Sequence, residues 1–166
     1  MMRILLVTDI FPHRGRPYKG RWMLDFAQSL SQRAEVHVLS PRYRGFRPPP
    51  GSFLHWYREQ PSYERLGDVH AHYPTTFATH YAFYMIAQAL SMCWSFLPVA
   101  RKLHLKNRFD VVHGQSIIPG GIVSAWIAHK LGLPLVVTSQ GSDVNVFSAV
   151  RHLRPFVSAT YRRADQ

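Results

Sequence analysis

The sequence predicts an α/β fold, a Rossmann-like doubly wound parallel sheet with helices on both faces. Three observations predict it. Arg3–Asp9 and Leu135–Thr138 are near-continuous apolar runs, as strands buried on both faces require. Segments with helical periodicity separate such runs. Glycines and small polar residues crowd the points where the runs end, the place where an open parallel sheet binds its ligands.

Taken in order, Arg3–Asp9 is the first strand, its apolar run closed by an acid. The polar loop FPHRGRPYKG follows, with Gly15 and Gly20. From Arg21 to Arg33, Met23, Phe26, Ala27 and Leu30 recur at i, i+3, i+4, i+7, one face of an amphipathic helix. Glu35–Ser40 alternates as a second strand, so a βαβ unit opens the chain. Pro48-Pro49-Pro50-Gly51 is a stiff loop, with short strands expected at Phe53–Tyr57 and Val69–Tyr73. Phe77–Arg108 is the longest helical candidate. Asp110–His113 is the next strand. Pro119 at a first helical position, with Gly132 and Pro134 at the other end, brackets a helix over Gly120–Leu131. After Leu135–Thr138, a helical pattern covers Phe147–Arg163. Such a helix is expected to feed another strand, so the expectation is one domain, 1–166, cut before its last strand.

Length and composition fit one packed domain. The chain has 166 residues, nearly half of them apolar. A lone cysteine, Cys93, forms no internal disulfide, and the short apolar run at the N-terminus is not a signal-peptide core, so a cytoplasmic setting is expected. A formal net charge of +11 favours anionic partners. The basic residues are scattered, without zinc-finger spacing, a basic zipper or an aromatic RNA-binding signature, so nucleic acid is not an expected partner.

Three strand ends converge on one expected crevice. Gly15 and Gly20 follow the first, Gly114, Gln115 and Pro119-Gly120-Gly121 the VVH strand, and Gln140, Gly141, Ser142 and Asp143 the VVTS strand. Glycine lets a ligand approach the backbone, and helix N-termini offer free N–H groups to anions, so a phosphorylated ligand suits the crevice. Loops of this kind also need glycine for turning alone.

The pair DVVHGQSIIPGG and LPLVVTSQGSDVN, with RILLVTDIFP before Gly20 and the terminal RRAD, resembles the N-terminal half of family 4 (group 1) glycosyltransferases. That resemblance implies the acceptor-side domain of a GT-B enzyme, with the donor-binding C-terminal domain and its paired glutamates absent from this chain, which alone would be inactive. It implies a retaining transfer from a nucleotide-sugar to a glycan or lipid-linked acceptor, in polysaccharide, glycolipid or cell-envelope glycan synthesis, with no metal. Gly20, with Gly15 in the same loop, matches the glycine that approaches the donor diphosphate; Gly141 and Ser142 join the ligand-binding edge. His113 matches the first histidine of an H-x-H pair whose second position is Gln115, and stands between a structural group and a catalyst. Asp143 matches an acid that contacts a sugar hydroxyl or caps the helix after it. Gln140 departs from the family, which has histidine there; glutamine hydrogen-bonds but takes no proton at neutral pH.

Residues 81–100 carry no formal charge and reach the minimum length of a membrane span, yet Tyr84, Gln88, Ser91 and Ser95 form a polar stripe and Pro98 interrupts the run. A buried helix is the first expectation. Peripheral contact with anionic membrane through residues 81–108 is the second, given Tyr81, Tyr84, Trp94 and the basic cluster from Arg101 to Arg108. His70 and His72 share one side of a strand, but no acid or cysteine is spaced with them for a metal. Two other functions compete. A dinucleotide-binding oxidoreductase needs G-x-G-x-x-G after the first strand, and TDIFPHRGRPYKG lacks it. A non-enzymatic basic module binding nucleic acid or membrane rests on charge alone.

Overall fold

The computed structural model describes residues 1–44, 60–77, 84–141 and 143–165. A six-stranded sheet forms the centre. Its strands are β1 (Met2–Val7), β2 (Ala34–Leu39), β4 (Tyr63–Leu66), β5 (Val69–His72), β7 (Val111–Gln115) and β8 (Leu135–Thr138), in the order β4-β5-β2-β1-β7-β8. All neighbours run parallel except β4, which pairs antiparallel with β5 through a hairpin turned at Gly67. A second sheet pairs β3 (Arg42–Arg44) with β6 (Thr75–Phe77) in parallel.

Alternation along β1 explains the layers. Ile4 and Leu6 join Val36, Val38, Val69 and Ala71 beneath α1 (Arg21–Ser31), which contributes Met23, Leu24 and Ala27. Leu5 and Val7 point the other way, to α2 (Tyr84–Asn107) and α3 (Ile122–Leu131), where Met92, Phe96 and Ile127 are fully buried. Helices therefore cover both faces, as expected of a doubly wound sheet. α4 (Arg154–Arg163) rests on the turn after β7, with Leu153 and Val157 against Ile117 and Ile118.

Several boundaries move from the sequence reading. Asp9 lies beyond the end of β1. Phe77 belongs to β6, and the helix expected from it is described from Tyr84 to Asn107, ending where Arg108 turns left-handed at φ 53°. The helix expected over Phe147–Arg163 begins later, as α4 at Arg154, while Phe147 ends a helical turn over Asp143–Phe147. Pro155 sits in the first turn of α4, where its missing N–H is tolerated; a helix running through it from Phe147 would lose a bond and clash with the turn before it. The Gly120–Leu131 helix divides similarly, into a helical turn at Ile117–Gly121 and α3, with Gly132 closing α3 at φ 66°. The expected strand at Phe53–Tyr57, the Pro48–Gly51 loop and Tyr81 lie outside the described residues.

The polar stripe of α2 faces the protein. Gln88 hydrogen-bonds the hydroxyl of Tyr43 on β3. Ser91 accepts from the Phe77 N–H at 3.1 Å, and Ser95 pairs with Thr76 at 2.9 Å. The stripe thus holds the small sheet. Among the described residues, no helix is long and apolar enough to cross a membrane.

Candidate functional site

The carboxyl ends of β1, β7 and β8 lie side by side, because β1 pairs with β7 and β7 with β8. After β1, Thr8 turns the chain: its hydroxyl donates to the Ile10 carbonyl at 3.0 Å. Asp9 stands between, half-buried. Burial pushes its pKa up to about 6, and the charge of Asp143 adds to the rise while Lys19 opposes it. Sequence reasoning saw Asp9 only as the end of an apolar run. An acid directly after a buried strand, ahead of a glycine-bearing loop, was the available signal.

Gly20 closes that loop. It is buried, left-handed at φ 72°, and a Cβ there would sit 3.0 Å from Ile10 Cγ1. It opens α1, which has no side-chain cap and no acid in its first turn, so the amide end of the helix keeps its positive character. Gly15 is different. It lies in a tight turn where its N–H donates to His13 Nδ1 at 3.2 Å, so that amide is already engaged. His13 in turn lies edge-on to Tyr73, whose hydroxyl donates to the Pro12 carbonyl at 2.5 Å. The loop is anchored to the sheet rather than hanging over it.

Asp143 ties two loops together. Its Oδ2 accepts from the Gln140 N–H at 2.8 Å and from the Ile117 N–H at 2.9 Å. The capping role therefore falls on the turn after β7 as well as on its own loop. Asp143 is 1% exposed, and its Oδ1 has no hydrogen-bond partner among the described residues. A buried carboxylate oxygen left so is a spare acceptor for a hydroxyl or water.

His113, Gln115, Thr138 and Gln140 form one chain of contacts. His113 Nε2 lies 2.8 Å from Thr138 Oγ1 and 3.2 Å from Gln115 Nε2. Gln140 Nε2 lies 3.5 Å from Gln115 Oε1. Gln115 is buried, and with its amide so oriented its nitrogen only donates, leaving His113 Nε2 as an acceptor and the ring proton on Nδ1. Burial holds the His113 pKa below the usual histidine value, and Phe26 of α1 packs edge-on against the ring. His113 is thus a neutral, occupied group that orients Gln115, which orients Gln140.

The remaining glycines divide by purpose. A Cβ at Gly114 would fall 2.1 Å from Ser124 Oγ, and one at Gly120 2.1 Å from the Gln115 carbonyl oxygen. These positions admit α3 and its preceding turn close to the sheet. At Gly141 a Cβ would meet, among the described residues, only Asn145 Nδ2, at 3.9 Å. Ser142 lies outside the described residues.

His70 and His72 do not stand alone. His37 of β2 stacks on both, with ring centroids 4.7 and 5.4 Å away, and its Nδ1 lies 3.1 Å from His72 Nε2. Tyr63 and Glu35 supply the outer contacts, at 2.9 Å to His70 and 3.0 Å to His37. Among the described residues, no group of three His, Cys, Asp or Glu is arranged to hold a metal ion.

The model of the glycosyl transferase 4-like domain matches residues 20–166, nearly all of the chain. The chain belongs to that glycosyl transferase 4-like family. Among solved structures, this glycosyltransferase-like domain is similar to a sucrose-phosphate synthase from Thermosynechococcus elongatus, with a TM-score of 0.60 and 13% identity. The alignment covers 99% of the domain and 41% of that chain, a likeness of fold to a GT-B glycosyltransferase. No curated protein sequence matches the domain.

Proposed function

We propose that this domain is the acceptor-side half of a nucleotide-sugar-dependent, retaining glycosyltransferase acting in polysaccharide, glycolipid or cell-envelope glycan synthesis. One observation carries the reading beyond the family match. The N-terminus of α1, which has no side-chain cap and is opened by left-handed Gly20, stands over Ile10, next to Asp9, at the same sheet edge as Asp143 and Gln140. A diphosphate suits the helix end, with Lys19 nearby; a polyhydroxylated acceptor suits the carboxylates and amides beside it.

In this reading Gly20 and the positive N-terminal end of α1 receive the donor diphosphate. Asp9 accepts hydrogen bonds from acceptor hydroxyls, Asp143 holds the Ile117 and Gln140 loops in place, and Gln140 positions the reacting sugar through its link to Gln115. His113 stays neutral and takes no proton. Transfer with retention then proceeds on the face of the departing phosphate, whose own oxygen takes the proton of the attacking hydroxyl. The oxidoreductase alternative gains no support at the first loop, which has no G-x-G-x-x-G.

The test is a transfer assay on the full-length protein with a panel of nucleotide-sugars and polyprenyl-phosphate acceptors, the anomeric configuration of the product read by NMR. Gly20→Val is expected to abolish transfer. Unchanged transfer in that variant removes the diphosphate role from Gly20, and an inverted product sinks the retaining mechanism.

A further inference from the structure

α2 is turned inside out. Its polar stripe is consumed by β3 and β6, while Leu90, Trp94 and Pro98, spaced four residues apart, face solvent. Trp94 is 87% exposed and Leu90 64%. Beside them, α3 and α4 contribute Trp126 and Phe156 to the lining of an apolar groove of about 910 Å³, which Arg101 and Arg163 also line. Helices α2, α3 and α4 contain no aspartate or glutamate. Lys130 of α3 has its ammonium 4.7 Å from the Trp126 ring, and Arg162 and Arg163 end α4. The surface therefore joins apolar and cationic side chains, with no acid on these helices to answer the cations.

We propose that this groove is a docking surface for an anionic phospholipid bilayer. Exposed tryptophan and leucine beside arginine and lysine match the interfacial zone, where indole rings lie at headgroup depth and cations meet lipid phosphates. A second copy of the chain is a poor occupant. A two-fold contact would bring the same acid-free cationic rim against itself. The burial is peripheral, since α2 is held to the sheet along its opposite side by Met92, Phe96 and Ala100. The surface is formed by helices α2, α3 and α4 rather than by the sheet edge that holds Gly20 and Asp143, and the inference does not rest on the transfer reaction.

The test needs no sugar nucleotide. The full-length protein is sedimented with vesicles of phosphatidylcholine alone and of phosphatidylcholine with phosphatidylglycerol, and binding is titrated with salt. Binding to the anionic vesicles only, weakened by salt, is expected. Trp94→Ala is expected to lower vesicle affinity roughly tenfold, the loss of one deeply seated side chain. Arg101→Gln with Arg163→Gln is expected to lower it about thirtyfold. Trp22→Ala, on α1 across the sheet, serves as the folded control and is expected to bind as the parent does. Both tested tryptophan and arginine sites are at the surface, so melting temperatures confirm that the variants fold. Equal binding to both vesicle types overturns the proposal, as does unaltered binding by Trp94→Ala and the double arginine variant. Lipid-free self-association abolished by Trp94→Ala assigns the groove to a second copy and equally overturns it.

Discussion

Asp9 and Asp143 stand at one end of the sheet close enough that the charge of Asp143 helps hold a proton on Asp9. The two acids lie far apart in the chain, one just after β1 and one after β8. One is fixed by two backbone amides; the other is left to titrate near neutrality. A carboxyl with a raised pKa at the carboxyl end of a sheet marks a candidate ligand site.

Asp9→Asn is expected to raise thermal stability at pH 7.5 and leave it nearly unchanged at pH 3.5. The folded pKa is raised, from 3.8 to about 6, so the folded state binds the proton more tightly than the unfolded chain. Stability therefore falls as pH rises from 3.8 through 6, and the neutral amide removes that loss. Transfer by the full-length protein is expected to fall in the same variant. Melting curves at both pH values decide it; equal destabilisation at both means that Asp9 is not held in a desolvated site.

Asp143→Ala is expected to cost about 2–4 kcal/mol in urea unfolding, because the Ile117 and Gln140 amides both lose their acceptor. Asp143→Asn keeps one carbonyl oxygen and is expected to lose about half as much. If the alanine variant unfolds at the parental urea concentration, the two bonds are not stabilising.

Gln140→Ala separates function from stability. Among the described residues its side chain makes one long contact, 3.5 Å to Gln115, so a change of less than about 1 kcal/mol is expected. Transfer is expected to fall by roughly tenfold or more if the amide positions the reacting sugar. Equal losses in stability and rate would assign Gln140 to the scaffold alone.

The stacked histidines predict acid sensitivity. Burial pulls His72 down to about 4 and also lowers His37, so both resist protonation in the folded state. Unfolded histidine takes a proton near 6.5, so stability is intact above that pH and falls as pH drops from 6.5 towards 4. His72→Phe keeps a stacking ring without the titration. It is expected to flatten the melting temperature over that range relative to the parent.

Much of the fold was legible because buried parallel strands write themselves as apolar runs. Arg3–Asp9 and Leu135–Thr138 could hardly be anything else, and Gly132 stopped its helix as expected. The short strands β3, β4 and β6 were not legible, since Arg42–Arg44, Tyr63–Leu66 and Thr75–Phe77 are too brief for a period to show. At the candidate site, Gln140 and Asp143 were singled out by their place after a strand. Asp9 was passed over because a sequence shows that an acid ends a run, not that it ends there beside a second carboxylate. The polar stripe on α2 was seen in the sequence, but its direction was not: Gln88, Ser91 and Ser95 find their partners on strands that no pattern announced.

The two amides held by Asp143 Oδ2 have a dynamic consequence. Gln140 and Ile117 are 23 residues apart in sequence but share one oxygen atom, so neither loop can loosen without releasing the other. Their amide protons should exchange with solvent as a single cooperative unit, and occupancy of the crevice should slow both together.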